Sequence, residues 1–164
     1  DMTRVEKVLE LAREVKSYAI INCAAYTNVD KCEVEQDLAY KINAIGARNL
    51  AIAAADTGAK LMHISTDYVF DGTATTPYTE KIKTCPVSVY GKTKLAGEEA
   101  IIRSGCFYII IRTAWLYSAF GHNFVKTILR LAEERPLFPI RSVLLLMQKI
   151  WPKRLSKLWL TMIG

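Results

Sequence analysis

Apolar positions recur along this chain in two rhythms. Val5, Val8, Leu9, Leu11 and Ala12 fall at helical spacing, which predicts an amphipathic helix over 3–16. Residues 18–22 form a short apolar run, expected as a buried strand. Residues 31–40 are polar enough for a short surface helix. The segment 43–57 is rich in Ala, Ile and Leu and ends at Gly58, a helix with a glycine C-cap signal, opened by Asn43 as N-cap or ligand contact. A strand is expected over 61–64, then a long loop with Gly72, Pro77 and Pro86. A helix over 89–103 stops near Gly105, and a strand over 107–111 and a helix over 123–134 follow.

Strands alternating with helices imply right-handed crossovers and a parallel sheet covered on both faces. Such sheets bind ligands at the carboxyl ends of their strands. Those ends carry Cys23-Ala24-Ala25, Ser65-Thr66-Asp67 and Arg112-Thr113, so small and polar residues gather at that edge. No glycine-rich dinucleotide fingerprint is present and the sequence opens on a helix, from which loss of the segment bearing a pyrophosphate loop is expected.

At 164 residues, half of them hydrophobic, the composition is that of one globular domain. No apolar run approaches the roughly 18 residues of a membrane span, and the first residues lack a signal-peptide layout. Cys23, Cys32, Cys85 and Cys106 show neither metal spacing nor close pairing, as expected of reduced cysteines in a cytoplasmic protein. The net charge of +6 invites a nucleic-acid reading. All 16 acids lie at or before Glu134, however, while Arg141, Lys149, Lys153, Arg154 and Lys157 lie beyond it. Without those five, 17 basic residues face 16 acidic ones, so the excess belongs to the tail and no nucleic acid is expected as partner.

Tyr90 and Lys94 stand four apart, on one face of a helix. A neighbouring cation favours phenolate and would lower the tyrosine pKa towards neutrality. Eight tyrosines and thirteen lysines produce about one such pair by chance, and a solvated helix face is the plain alternative. The context points further: the pair opens a helix after a Pro-containing loop, downstream of a strand ending in Ser65-Thr66. A hydroxyl there can orient a carbonyl oxygen while Tyr90 protonates it.

The segments Ser65-Thr66-Asp67-Tyr68-Val69-Phe70-Asp71-Gly72 and Pro86-Val87-Ser88-Val89-Tyr90-Gly91-Lys92-Thr93-Lys94 resemble extended short-chain dehydrogenases. Asn22-Cys23-Ala24-Ala25-Tyr26-Thr27-Asn28-Val29-Asp30 narrows the resemblance to the dTDP-4-dehydrorhamnose reductase family, with Arg112-Thr113-Ala114-Trp115-Leu116-Tyr117 in register. The resemblance implies an α/β Rossmann-like, doubly wound parallel sheet, truncated at the N-terminus and without an intact substrate domain. It implies reduction of dTDP-4-dehydro-L-rhamnose to dTDP-L-rhamnose by NADPH or NADH, in polysaccharide biosynthesis. Tyr90 would be the proton donor, Lys94 would bind the nicotinamide ribose and hold the Tyr90 pKa down, and Thr66 would hydrogen-bond the ketone oxygen. Asp67 and Trp115 would contact the sugar nucleotide. Ala25, Tyr26, Thr27 and the Ile64 backbone would line the nicotinamide, with Asp1 and Met2 at the adenine end. Simpler roles exist: Trp115 as core, Ala24 and Ala25 as close-packing residues, His63 as a satisfied core histidine, His122 as a helix start rather than a metal ligand. Two other functions compete: a noncatalytic regulatory subunit of methionine adenosyltransferase, and a related sugar-nucleotide epimerase or dehydratase. No metal ligand set is expected, and no residue decides on a homodimer.

The likeness runs over 1–136 and stops abruptly. The family would continue with Gly-Ser-Pro-Thr-Tyr-Ala leading into a helix; the tail over 137–164 instead has two prolines, two tryptophans and no acid. With permitted codons, reading the last base of each codon with the first two of the next turns 144–157 into Pro-Thr-Tyr-Ala-Lys-Asp-Leu-Ala-Lys-Thr-Ile-Val-Lys. Ser142 and Val143 permit the preceding Gly-Ser. An out-of-frame tail from about Leu137 is therefore expected, with apolar residues not patterned for burial. Such a chain would by itself bind cofactor weakly and turn over little or nothing.

Overall fold

The computed structural model describes residues 1–134; the expected aberrant tail over 137–164 lies outside them. The chain divides into two units, Asp1–Ala114 and Trp115–Gly164. Strands β1 (Ala19–Asn22), β2 (Lys60–Thr66) and β3 (Tyr108–Thr113) form a parallel sheet in the first unit, in the order β1-β2-β3. Each falls within one or two residues of its expected place, because a short apolar run bounded by polar residues has few other ways to be buried.

Helix α1 (Val5–Val15) precedes β1, α2 (Val29–Val34) and α3 (Gln36–Tyr40) follow it, and α4 (Ala47–Thr57) leads into β2. Helix α5 (Val89–Arg103) joins β2 to β3. Two right-handed crossovers stepping the same way along a sheet leave their helices on one face, and α4 and α5 do pack on each other and on the strands. Ala47, Ala51 and Ala54 of α4 meet Leu61, Ile101 and Cys106 in the core. Small side chains there let the helix lie close to the sheet; burying Leu61 and Ile101 contributes about 2 kcal/mol each. On the opposite face the expected cover is not supplied by these two helices: Ile21 and Ile109, both in register with Met62, stay 63% and 50% exposed.

Helix ends follow local chemistry. Ser88 caps α5 by accepting from Gly91 N at 3.1 Å, and Asn28 caps α2 by accepting from Lys31 N at 3.0 Å. Gly58 closes α4 at φ 72°, as its sequence signal implied. Asn43 does not begin a helix. It sits within a π-helical stretch, Lys41–Gly46, that continues α3 into α4. In the second unit α6 spans Phe124–Glu134. Asn123, rather than His122, caps it by accepting from Lys126 N at 3.1 Å. Among the described residues no helix is long and apolar enough to cross a membrane.

Candidate active site

Strand β2 ends at Thr66, and the next residues turn at once into a short 3-10 helix, Asp67–Val69. The Thr66 hydroxyl organises that turn. It accepts from Tyr68 N at 3.2 Å and donates to Asp67 Oδ1 at 3.1 Å. The N-terminus of α5 lies directly against the turn, and Gly91 makes this possible: a Cβ there would stand 2.2 Å from the Tyr68 carbonyl oxygen. The close approach sets the Tyr90 ring edge-on to Tyr68, with centroids 5.5 Å apart.

Burial is the largest influence on the Tyr90 phenol, and the Thr66 side chain opposes it, drawing the pKa down. Burial outweighs that pull and raises the Tyr90 pKa overall, reinforced by the charge of Asp67. The expected depression by Lys94 is absent. The reason is geometric: the Lys94 amine is turned into the sheet, donating to the Ile64 carbonyl at 2.7 Å and standing 3.3 Å from His63 Nε2. The protein alone therefore holds Tyr90 as a neutral phenol, a proton donor.

Lys94 is 1% exposed, and burial lowers its pKa to about 8 against the opposing charge of Glu98. Glu98 itself is buried, gripped by Arg112 through contacts of 2.6, 3.1 and 3.2 Å and by the Ser65 hydroxyl. His63 is likewise 1% exposed, its pKa pushed down to about 3 by burial and by Lys94. It is satisfied, as a core histidine should be: its Nδ1 lies 2.9 Å from Asn22 Nδ2, its neighbour across the β1–β2 register.

The loop after β1 holds the next expected group. Asn43, buried in the π-helical stretch, donates to Tyr26 O at 3.2 Å and accepts from Tyr26 N at 2.8 Å, and its amide reaches Thr93 Oγ1 at 3.1 Å. One side chain thus ties the 23–28 loop to α5. Ala25 and Tyr26 are half-buried and Thr27 exposed. The Tyr26 hydroxyl donates to Glu35, which raises its pKa to about 12. Ile64 presents its carbonyl to Lys94, and Asp67 is half-buried beside Thr66.

Not every expected residue joins this group. Asp1 folds its carboxylate back onto Thr3, and the Met2 carbonyl accepts from Asn49 of α4 at 3.0 Å, so these two belong to the α4 side of the unit. Trp115 belongs to the second unit, where it is 56% exposed, has φ 54° and packs on Phe124 at 4.1 Å between centroids. Asn22 and Glu98 are site residues the sequence reading missed, while the sequence leaves Asn43 open as a helix cap or a ligand contact. An Asn ending a strand and a Glu one turn beyond Lys94 were visible signals, but their partners lie far off in sequence. Among the described residues no three His, Cys, Asp or Glu side chains cluster as a metal site would need.

The family described as RmlD substrate binding domain matches residues 1–141. The chain is 47% identical over 135 residues to the dTDP-4-dehydrorhamnose reductase of Salmonella typhimurium, covering 82% of itself and 45% of that protein. Among solved structures it resembles a dTDP-4-dehydrorhamnose reductase from Clostridium acetobutylicum, with TM-score 0.79, 54% identity and coverage of 82% of this chain and 48% of that one. A Bacillus anthracis dTDP-4-dehydrorhamnose reductase solved in complex with NADP matches with TM-score 0.79, 50% identity and the same coverages. The chain spans about half the length of the relatives it matches.

Proposed function

We propose, from the premise that this chain belongs to the dTDP-4-dehydrorhamnose reductase family, that it carries the proton-donating side of an NAD(P)H-dependent reduction of dTDP-4-dehydro-L-rhamnose to dTDP-L-rhamnose. The observation that supports this reading is the packing of the first turn of α5, which bears Tyr90, against the turn that follows Thr66 at the carboxyl end of β2, with the Lys94 amine on the Ile64 carbonyl of the same strand; parallel sheets receive ligands at that edge. The donor set fits a nicotinamide nucleotide: a buried amine at Lys94 for ribose hydroxyls, and the small Ala25 side chain beside the clamped Tyr26 backbone. When bound, the nicotinamide supplies the hydride.

The chain's own groups supply alignment and the acid. Thr66 orients the ketone oxygen by hydrogen bonding, and Asp67 reaches hydroxyls of the sugar. Tyr90, kept protonated by burial, delivers its proton to that oxygen as negative charge develops on it. Lys94 then favours the resulting phenolate. Asp1 and Met2 approach the adenine end. The complete Thr66, Tyr90 and Lys94 set supports catalysis over a noncatalytic regulatory role.

A chimera that carries residues 1–136 within the Salmonella reductase tests this. It should oxidise NADPH only when dTDP-4-dehydrorhamnose is present, and Tyr90→Phe should lower kcat by roughly 100-fold or more. Full activity in the Tyr90→Phe chimera overturns the assignment.

A further inference from the structure

The buried polar chain behind Lys94 has a direction, and the direction fixes a protonation state. The backbone N–H of Ala24 can only donate, and it meets Asn22 Oδ1 at 3.1 Å. The Asn22 amide is thereby oriented, with its NH2 towards His63 Nδ1 at 2.9 Å. Nδ1 must then accept, so a neutral His63 carries its proton on Nε2. That Nε2–H points at Lys94 Nζ, 3.3 Å away, while Nζ donates to the Ile64 carbonyl. An ammonium in this position would face donor to donor. An amine, with one lone pair, completes the chain.

We propose that Asn22 and His63 are positioning residues that favour the uncharged amine of Lys94 over its ammonium in this chain. Among the described residues one charged group near it opposes this state. On its own helix Glu98 is the acid that would favour an ammonium, but Glu98 is already engaged by Arg112 of β3 and Ser65 of β2. Tyr90, on the turn before, is a neutral phenol. From β1 and β2 come only the Asn22 amide, the His63 ring and a carbonyl. An imidazolium at His63 is excluded twice over, since both its nitrogens would donate, one into the Asn22 NH2 and one towards Lys94. Burial pushes the pKa values of both His63 and Lys94 down, in the direction the hydrogen-bond chain requires.

The proposal deepens the reductase reading, on which its catalytic meaning rests. Lys94 would take up a proton as ribose hydroxyls replace His63 as its partner, which arms it to support the Tyr90 phenolate after proton transfer. The test needs no turnover. The full 164-residue chain, labelled with nitrogen-15 histidine and with lysine labelled at the side-chain carbon bearing the amine, is followed by NMR from pH 5 to 10. There are two histidines, so His122→Asn leaves the His63 signals alone. His63 should show its proton on Nε2 throughout, and one lysine, absent from the Lys94→Arg spectrum, should titrate well below the others. In Asn22→Asp a carboxylate oxygen faces Nδ1 and demands Nδ1–H, leaving Nε2 to accept from an ammonium. The tautomer should switch, and the Lys94 midpoint should rise by about one pH unit or more, a tenfold gain in proton affinity. Added negative charge alone would move the midpoint but not the tautomer. A wild-type ring protonated on Nδ1, a Lys94 that titrates with the surface lysines, or an unchanged tautomer in Asn22→Asp overturns the proposal. If Asn22→Asp does not fold, the wild-type tautomer decides. A Tyr90→Phe chimera with full activity would sink the reductase reading while leaving these signals intact.

Discussion

A proton offered to His63 finds no favourable seat. Its ring lies in the core, one nitrogen already accepts from Asn22, and the other faces Lys94. Burial, with the charge that Lys94 carries when protonated, lowers its pKa from 6.5 to about 3. The unfolded chain binds that proton below about pH 6.5 and the folded one only near pH 3. The stability associated with the neutral ring is therefore complete above about 6.5 and is lost as the pH falls towards 3. Urea unfolding at pH 6.5 and pH 4 should show a loss of a few kcal/mol in the wild-type chain. His63→Gln should lose less over the same interval, because its amide does not titrate. Equal losses in both proteins would mean that the folded ring protonates freely, and that the core around Lys94 is wetter than its 1% exposure indicates.

At the scale of elements, two glycines of α5 decide how near the helix can come to its neighbours. A Cβ at Gly91 would stand 2.2 Å from the Tyr68 carbonyl oxygen and 3.0 Å from Pro86 Cβ; one at Gly97 would stand 2.3 Å from the Asn43 carbonyl oxygen. Alanine raises intrinsic helix stability by about 1 kcal/mol over glycine, yet the obstacle in both places is backbone, which cannot rotate aside. The clash should win. Gly91→Ala is expected to destabilise the chain by about 1–3 kcal/mol, and in the chimera to lower kcat as well, because either the Asp67–Val69 turn or the first turn of α5 must move and part Tyr90 from Thr66. Thermal melts alongside steady-state kinetics check both effects; a more stable Gly91→Ala protein with unchanged kcat would refute the close approach. The same glycines show what the sequence could disclose. Strands β1 to β3 and helices α1, α4, α5 and α6 were legible because burial periodicity is a local property of the chain. The one-turn spacing of Tyr90 and Lys94 was legible for the same reason. The direction of the Lys94 amine was not, because it depends on His63 from another element. Asn43 read as a helix start because Asn before an apolar run usually is one. Its actual partners, Tyr26 and Thr93, are 17 and 50 residues away.

For the whole molecule, the relatives supply a length scale: the match covers about half of each and the family match reaches residue 141. We propose that the chain is translated out of frame from about Leu137. Codon degeneracy makes any single shifted residue easy to obtain, so the weight rests on residues that allow no choice. Met147 has one codon, ATG, and its shifted triplets must end in AT and begin with G; Tyr and Ala, which the family segment needs there, satisfy both. Trp151 has one codon, TGG, and requires a triplet ending in TG followed by one beginning with G; Leu and Ala satisfy these. An unrelated helix has no reason to meet such demands at two fixed points four residues apart while the intervening positions also agree. Sequencing the DNA across codons 130–164 should reveal Gly-Ser-Pro-Thr-Tyr-Ala in the adjacent frame, continuing through Lys-Asp-Leu-Ala. Restoring that frame should raise NADPH-dependent turnover above that of the chain as written, because the tail would then carry residues patterned for burial. If neither shifted frame encodes that segment, the tail belongs to the protein as written, and the frame proposal fails without touching the geometry of Thr66, Tyr90 and Lys94.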